Sequence, residues 1–193
     1  LQSVEAAELA GRATDDTLDA SQFTGSVVLE GGGGSDQLHA GRGSSRLYGE
    51  ARTGGTSPIG NDVFHLHDGG SVEVFDTVGG NDTLDFSLTT GRAVVVDLSS
   101  VLQQTVNSYL KITLSAGDVF ENVIGGAKDD QLTGNGLANW LLGGLGNDSL
   151  SGMAGNDTIS GGDGTDTING GTGLDNGGDG GNGARGGDAG RGG

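Results

Sequence analysis

The sequence has no cysteine, one proline, eight aromatic residues and only nine lysine and arginine residues among 193. Without cysteine, the chain cannot form disulfides, a thiolate nucleophile, a zinc finger or an iron–sulfur site. The 26 acidic residues give a net charge of −17, which argues against nucleic acid and anionic membranes as partners, because both require a basic surface. No apolar run approaches the ~18 residues of a membrane span.

Glycine, in contrast, is abundant, with 43 residues, roughly three times the usual share of about 7%. Glycine costs ~1 kcal/mol at each helix position relative to alanine, so helices are disfavoured. With 32% hydrophobic residues, a conventional apolar core also looks difficult to build. Glycine at this level without a period would indicate disorder, so the spacing of the glycines is decisive.

The glycines have a period of nine. Six blocks run from residue 125 to 178 without insertion: GGAKDDQLT, GNGLANWLL, GGLGNDSLS, GMAGNDTIS, GGDGTDTIN and GGTGLDNGG. Position 1 is always glycine, and position 6 holds Asp130, Asn139, Asp148, Asp157, Asp166 and Asp175. Position 8 is apolar in five blocks: Leu132, Leu141, Leu150, Ile159 and Ile168. The preceding nine residues, AGDVFENVI, place Glu121 at position 6 and Val123 at position 8.

This spacing predicts a stack of tight turns and very short strands. Glycine at positions 1, 2 and 4 permits positive φ, and such turns direct carbonyl oxygens inward beside the position 6 carboxylate. Calcium takes six to eight such oxygens at ~2.3–2.6 Å. Each block buries about one apolar side chain, whose ~1.5–3 kcal/mol cannot offset the ordering of nine residues at ~1–2 kcal/mol each. We therefore expect folding to be coupled to calcium binding.

The pattern GGxGxDxUx resembles the calcium-binding nonapeptide of the RTX proteins. Together with GGNDTLDFS at 79–87 and ENVIGG at 121–126, it is similar to the calcium domain of serralysin-type proteases and of large RTX surface proteins. The resemblance implies an all-β fold, a right-handed parallel β-roll (a β-solenoid) with several Ca²⁺ ions in the turns. Two nonapeptides would form one coil, and each ion would lie between turns stacked on the same side.

The resemblance also implies two ion columns. One would use Glu121, Asn139, Asp157 and Asp175, and the other Asp130, Asp148 and Asp166. Turn glycines would complete the sites, mainly through backbone carbonyls: Gly126, Gly143, Gly144, Gly146, Gly155, Gly161, Gly162, Gly164, Gly171 and Gly173. Asn139 is neutral, and Lys128 and Leu137 occupy position 4 of the first two blocks. We expect those two blocks to bind calcium more weakly than the blocks from 143 onward.

The N-terminal part carries degenerate copies of the repeat. GGGGSDQLH at 31–39 is a full match, which makes Asp36 a further predicted calcium ligand, and GNDVFH at 60–65 and GNDTLD at 80–85 match positions 4–9. The predicted organisation is one continuous solenoid in five parts. These are an N-terminal flank at 1–10, degenerate repeats at 11–85, a strand insert at 86–124, the regular β-roll at 125–176 and a glycine-rich triplet tail at 177–193.

Other features admit two interpretations each. His65 and His67, with Asp68 adjacent, could form a zinc or nickel site, but two solvent-facing histidines are the favoured interpretation. Trp140 at position 7 should face outward, as a contact for assembly or a ligand, or be covered by a neighbouring loop. The sequence contains neither HExxH nor GxSxG, so we expect no catalytic residues and no enzyme activity.

The expected function is a secreted, calcium-binding structural or adhesive module of a fibre, surface layer or matrix. Its partners would be calcium ions and either further copies of itself or neighbouring domains of a larger surface protein. The alternative is the C-terminal secretion and folding domain of an RTX enzyme (protease, lipase or epimerase) or toxin. Weak sites fill only in the millimolar calcium outside cells, so an extracellular or cell-surface location is expected, and the resemblance implies type I secretion.

Overall fold

The computed structural model describes residues 6–52, 59–76 and 79–178. In this part of the chain all regular structure is β, in eighteen strands, and the predicted all-β parallel fold is confirmed. Most of the predicted triplet tail and the first half of the predicted N-terminal flank lie outside the described residues. No described segment forms a helix of the length and apolar character that a membrane crossing needs.

One eight-stranded parallel sheet runs along the whole described fold, and we call it the continuous sheet. Each coil contributes one strand to it, and six of the eight strands are only three residues long. Its strands are β2 (Thr17–Asp19), β4 (Gln37–His39), β6 (Val63–His65), β8 (Thr83–Asp85), β12 (Asn122–Ile124), β14 (Trp140–Leu145), β16 (Thr158–Asp163) and β18 (Asn176–Gly178).

Two further sheets share the opposite side of the coils. The N-terminal sheet contains β1 (Ala6–Ala10), β3 (Ser26–Gly32), β5 (Ser44–Glu50), β7 (Ser71–Phe75) and β11 (Lys111–Leu114), with β10 (Gln104–Thr105) antiparallel at its edge. The C-terminal sheet contains β9 (Val95–Asp97), β13 (Gln131–Thr133), β15 (Ser149–Ser151) and β17 (Thr167–Asn169). The solenoid therefore exchanges one sheet for another partway along its length.

The exchange takes place in the segment predicted as a strand insert. This coil is the longest, with 39 residues between Asp82 and Glu121, and it carries both the first strand of the C-terminal sheet and the last parallel strand of the N-terminal sheet. The N–H of Val95 donates to the carbonyl of Val106 over 3.1 Å. That bond joins β9 to the residue that follows β10, so the insert connects the two sheets.

The interior changes along the solenoid in the same way. In the regular repeats the position 8 side chains Leu132, Leu141, Leu150 and Ile159 are buried, one per nonapeptide, as predicted. Before residue 125 the core is fuller, and it includes Phe64 and Phe120 in edge-to-face contact at 5.9 Å. The expectation that an apolar core would be difficult to build is wrong for that part. The strands of the N-terminal sheet are longer, so β3, β5, β7 and β11 each direct two side chains inward.

Candidate calcium-binding turns

A column of oxygen-bearing side chains lines the turn that precedes the continuous sheet. Each member is the residue immediately before one of the eight strands. Because those strands are parallel and in register, their preceding residues stack along the solenoid. We call this set the long column: Asp16, Asp36, Asp62, Asp82, Glu121, Asn139, Asp157 and Asp175.

Hydrogen bonds between coils fix one oxygen of each carboxylate in the long column from Asp36 onward. The backbone N–H of Asp36 donates to Oδ1 of Asp62, and the N–H of Asp62 donates to Oδ1 of Asp82, each over 2.8 Å. The N–H of Asp157 donates to Oδ1 of Asp175 in the same way over 3.0 Å. These charge-assisted bonds orient the carboxylates, so the second oxygen of each has a defined direction.

A second set, the short column, precedes the C-terminal sheet and consists of Asp130, Asp148 and Asp166. The N–H of Asp130 donates to Oδ1 of Asp148 over 2.7 Å, and the N–H of Asp148 donates to Oδ1 of Asp166 over 2.8 Å. The structure thus groups the sequence-predicted acids of the regular repeats in the two columns that the resemblance implied. Four strands of the N-terminal sheet, β3, β5, β7 and β11, follow glycine or leucine instead, as at Gly43 and Gly70.

Three members of the long column were absent from the predicted ligands: Asp16, Asp62 and Asp82. The signal was present for all three. GRATDDTLD at 11–19 puts Asp16 at position 6, and GND at 60–62 and at 80–82 directly precedes an apolar strand as it does in the nonapeptides. Insertions between these copies obscure the period of nine. The spacing from Asp36 to Asp62 is 26 residues, whereas it is 18 from Asp130 to Asp148.

The side-chain oxygens of the columns show two patterns. In one group Oδ2 is buried and accepts no hydrogen bond: Asp36, Asp62, Asp82, Asp148, Asp157 and Asp166. In the other, the turn satisfies its own side chain, because Oδ2 of Asp130 accepts from the N–H of Gly126 at 2.5 Å and Oδ1 of Asn139 accepts from Asn135 at 2.9 Å. A buried carboxylate oxygen without a donor is costly, so the first group fits a cation.

Backbone geometry follows the same division. From residue 143 onward, positions 2 and 4 have positive φ, for example 109° at Gly144 and 128° at Gly146, as predicted. The first two blocks have no positive φ at these positions, and there the position 2 N–H donates to the position 6 side chain. This difference supports the expectation that the first two blocks bind calcium more weakly. Met153 occupies position 2 of the fourth block with a φ of 77°.

Glycine at position 1 has a different role from the predicted one. None of the six position 1 glycines of the regular repeats has positive φ, so the expectation is wrong for this position. A Cβ on Gly143 would overlap Oδ2 of Asp148, and one on Gly161 would overlap Oδ2 of Asp166. Position 1 therefore requires glycine because the position 6 carboxylate lies directly against its backbone.

Carbonyl oxygens of successive coils stack at positions 2 and 4. A Cβ on Gly162 would overlap the carbonyl oxygen of Gly144, and one on Gly164 would overlap that of Gly146. The predicted carbonyl ligands therefore lie in the same turns as the open carboxylates. A carbonyl has two lone pairs, so an oxygen such as that of Gly126, which accepts from Leu145 at 3.3 Å, retains one for a cation. Carboxylates with carbonyls form the all-oxygen ligand set that calcium prefers.

The electrostatics of the columns also favour a cation. Burial raises the pKa of Asp36 and of Asp82 to about 7, and it raises the pKa of Asp62, Asp130 and Asp148 to about 6. Neighbouring carboxylates in the same column contribute to the raised pKa of Asp36, Asp82 and Asp148. Ionisation of stacked, desolvated carboxylates is unfavourable by itself, and a bound divalent cation reverses that preference.

The two histidines considered as a zinc or nickel site have separate partners. His65 stacks on His39 at 4.1 Å between ring centroids, and its Nδ1 lies 2.9 Å from Oδ2 of Asp85. His67 contacts the carbonyl oxygen of Ala40 through Nε2 at 2.8 Å. Both rings are half-buried rather than solvent-facing, and they do not form a joint metal site. Trp140, for which the sequence left open an outward-facing or a covered side chain, is 40% exposed.

These turns and sheets define a calcium-binding parallel β-roll. The chain matches the family of the RTX calcium-binding nonapeptide repeat (4 copies) at residues 24–51, 115–150 and 142–176. The chain therefore carries RTX repeats, as predicted, and these repeats are calcium-binding motifs. The first matched range includes Asp36, and the other two include the regular repeats. No curated protein matches the chain.

Proposed function

We propose that this chain is a secreted, calcium-dependent structural or adhesive module of an extracellular fibre, surface layer or matrix, without a catalytic role. The observation that carries the proposal is the long column, which extends from Asp16 to Asp175. The turns that carry the long column thus occur along the whole described fold and are not confined to one end. A protein built in this way from end to end serves through its shape, its stiffness and its surfaces.

The electrostatics support an extracellular location. A net charge of −17 and stacked carboxylates oppose compaction until cations bind. Extracellular sites of this kind need only ~10⁻⁴–10⁻³ M affinity to fill, and they stay empty at cytosolic calcium levels. A chain that folds only after export suits type I secretion, the route that the RTX resemblance implies.

The two ends of the continuous sheet support assembly. Among the described residues, β2 and β18 are its end strands, and each pairs on one side only. An end strand presents unpaired backbone donors and acceptors, onto which a further coil, a second copy or a neighbouring domain can add. Leu18 and Ile168, near the two ends, are only partly buried, so each end also offers apolar surface.

The competing proposal is a secretion and folding domain that belongs to an RTX enzyme or toxin. The same end strands favour it, because a preceding domain could cover β1 and β2. In that case calcium would still drive folding, but purified copies would remain separate. The two proposals therefore differ in assembly and agree on the coupling of folding to calcium.

Two measurements test the proposal. Circular dichroism should show a large gain of β structure when millimolar calcium is added to the calcium-free chain, and identical spectra in EDTA and calcium would refute the coupling. Electron microscopy and light scattering should then show fibres or sheets in calcium that dissolve in EDTA. A folded, strictly monomeric protein at every calcium concentration would overturn the assembly role and favour the domain of a larger enzyme or toxin.

A further inference from the structure

Two acidic side chains occupy turn positions where the nonapeptides have glycine. Glu50 pairs with Gly32 in the register of β3 and β5, so it stands at position 2 of its coil. Asp76 follows the Tyr48–Phe75 pair by one residue, which places it opposite the position 1 residue Gly49. Both lie in the turn that leads to the long column, where the regular repeats offer only backbone oxygens.

These two carboxylates converge on a third. Glu50, Asp62 and Asp76 each place one carboxylate oxygen so that the three atoms lie within 4.8 Å of one another. A Cβ added to Gly49 would overlap Oδ2 of Asp62 and lie 3.2 Å from Oδ1 of Asp76. The absence of a side chain at Gly49 thus lets the carboxylates approach.

Asp62 provides an independent indication of a ligand. Its side chain belongs to a residue that is 1% exposed, and its Oδ1 accepts the N–H of Asp36 at 2.8 Å. Its Oδ2 is buried and accepts no hydrogen bond, and this oxygen faces the glycine that separates it from Asp76. A buried acceptor of this kind, directed into a group of carboxylates, needs a cation.

The nearest cationic residue in the sequence makes its ion pairs elsewhere. Arg52 donates through Nε to Glu30 at 2.7 Å, and its other ion pair is with Glu8. Its guanidinium also lies 5.1 Å from the centre of the Tyr48 ring. The charge of Arg52 is thus directed to the outer face of the N-terminal sheet, where Glu8 and Glu30 lie.

We infer that Glu50, Asp62 and Asp76 form a calcium site of their own, in which three side-chain carboxylates take over the role that backbone carbonyls have in the nonapeptides. Two oxygens bound to one calcium at ~2.4 Å can be separated by at most ~4.8 Å, and the three carboxylate oxygens lie within that distance of one another. Three carboxylates should give tighter binding than one. The inference rests on the calcium-binding character of the repeats and not on the structural role proposed above.

The test is a count of bound calcium in the full-length chain. Native mass spectrometry at saturating calcium should show one ion fewer in the double variant Glu50→Gln/Asp76→Asn than in the wild type. Glu73→Gln is the control, because it removes one negative charge from a nearby side chain that is 40% exposed and pairs with Arg46, and it should retain the full count. Equal counts in the double variant and the wild type would overturn the site.

A second measurement keeps the wild-type carboxylates and so does not depend on the folding of the double variant. Terbium replaces calcium at oxygen sites and emits when an adjacent aromatic ring is excited, and Tyr48 lies two residues from Glu50 and stacks on Phe75. In a Trp140→Phe background, Tyr48→Phe should remove most of the sensitised emission without changing the amount of terbium bound. Unchanged emission would count against the site.

The outcomes separate this inference from the wider proposal. A wild-type chain that binds no calcium would refute both. Normal calcium-coupled folding with no ion lost in the double variant would refute this site alone. Loss of one ion in the double variant, with normal folding but no assembly, would support the site and count against the proposed structural role.

Discussion

Replacement of Asp148 by asparagine should weaken the dependence of the unfolding free energy on calcium. The same change should stabilise the calcium-free fold. Asp148 stands between Asp130 and Asp166 in the short column, and its Oδ1 accepts the N–H of Asp130 at 2.7 Å. Asparagine keeps an oxygen in that place and so retains the hydrogen bond between coils. What it removes is the charge and the open Oδ2, which is buried without a donor.

The magnitude follows from linkage. Each bound ion adds about 1.4 kcal/mol of unfolding free energy per tenfold rise in free calcium above its dissociation constant. Because Asp148 has a neighbouring coil on either side, the variant should lose roughly 1.4–2.8 kcal/mol per decade of that dependence. Burial raises the pKa of Asp148 from 3.8 to about 6. Removal of its charge should therefore favour the calcium-free fold at pH 7 by about 1–2 kcal/mol, after allowance for solvent screening.

The assay is urea unfolding at a series of buffered calcium concentrations, monitored by circular dichroism. Plots of unfolding free energy against the logarithm of free calcium should cross, with Asp148→Asn above the wild type at low calcium and below it at high calcium. Asp163→Asn is the control, because Asp163 is exposed at position 3 of a neighbouring block, and its slope should match the wild type. Parallel plots for Asp148→Asn and the wild type would refute a role of Asp148 in calcium binding.

Three further predictions concern the turns and their acids. Gly161→Ala should destabilise the calcium-bound fold by roughly 2–4 kcal/mol, because its Cβ would overlap the Asp166 carboxylate. The control Gly136→Ala should cost under about 1 kcal/mol, because its Cβ would have no neighbour closer than 3.8 Å. Similar losses for the two variants in urea unfolding would contradict this reasoning. Met153→Gly should raise the unfolding free energy in calcium by about 0.5–1 kcal/mol. The φ of 77° at Met153 costs a residue with a side chain about 1–2 kcal/mol, and the larger entropy that glycine loses on folding offsets part of this gain. A lower melting temperature for the variant would show that the Met153 side chain stabilises the fold by more than its backbone conformation costs. Since burial raises the pKa of Asp36 from 3.8 to about 7, the calcium-free fold should lose stability as pH rises from about 4 to 7. Calcium affinity should fall when the pH is lowered over the same range, because protons then compete for the carboxylate. A calcium affinity that does not change with pH in calorimetry would contradict the assignment of Asp36 as a ligand.

The regular part of the fold could be predicted from the sequence because one period encodes the turn, the ligand and the inward side chain. Six blocks without insertion place Asp130 and Asp148 two blocks apart, and the two nonapeptides per coil that the RTX resemblance implies then assign both residues to one column. The role of Gly143 could not be obtained from the period. A glycine that permits positive φ and one that makes room for a carboxylate are identical in sequence, and only the position of Asp148 distinguishes them.

The N-terminal half was less predictable, because its coils vary in length. Asp62 and Asp82 follow the same GN dipeptide as Asp148, but the residues inserted before them disrupt the register on which counting depends. The fuller apolar core there was also missed. The overall composition averages the regular repeats, which bury one apolar side chain per nonapeptide, with the N-terminal coils, which bury more. It therefore underestimates the number of inward side chains that β3 and β5 supply.

The continuous sheet gives the solenoid a mechanical direction. Its strands bond only to the coils directly before and after them, so tension on the C-terminal side acts on the last coil before it reaches any other. Coils of 18 residues would detach in sequence, each lengthening the chain by roughly 60 Å and releasing the cations held against its neighbour. If the turns bind calcium as proposed, we expect such a fold to act as an extensible tether whose resistance rises with the calcium concentration around it, and the larger core before residue 125 should unfold last.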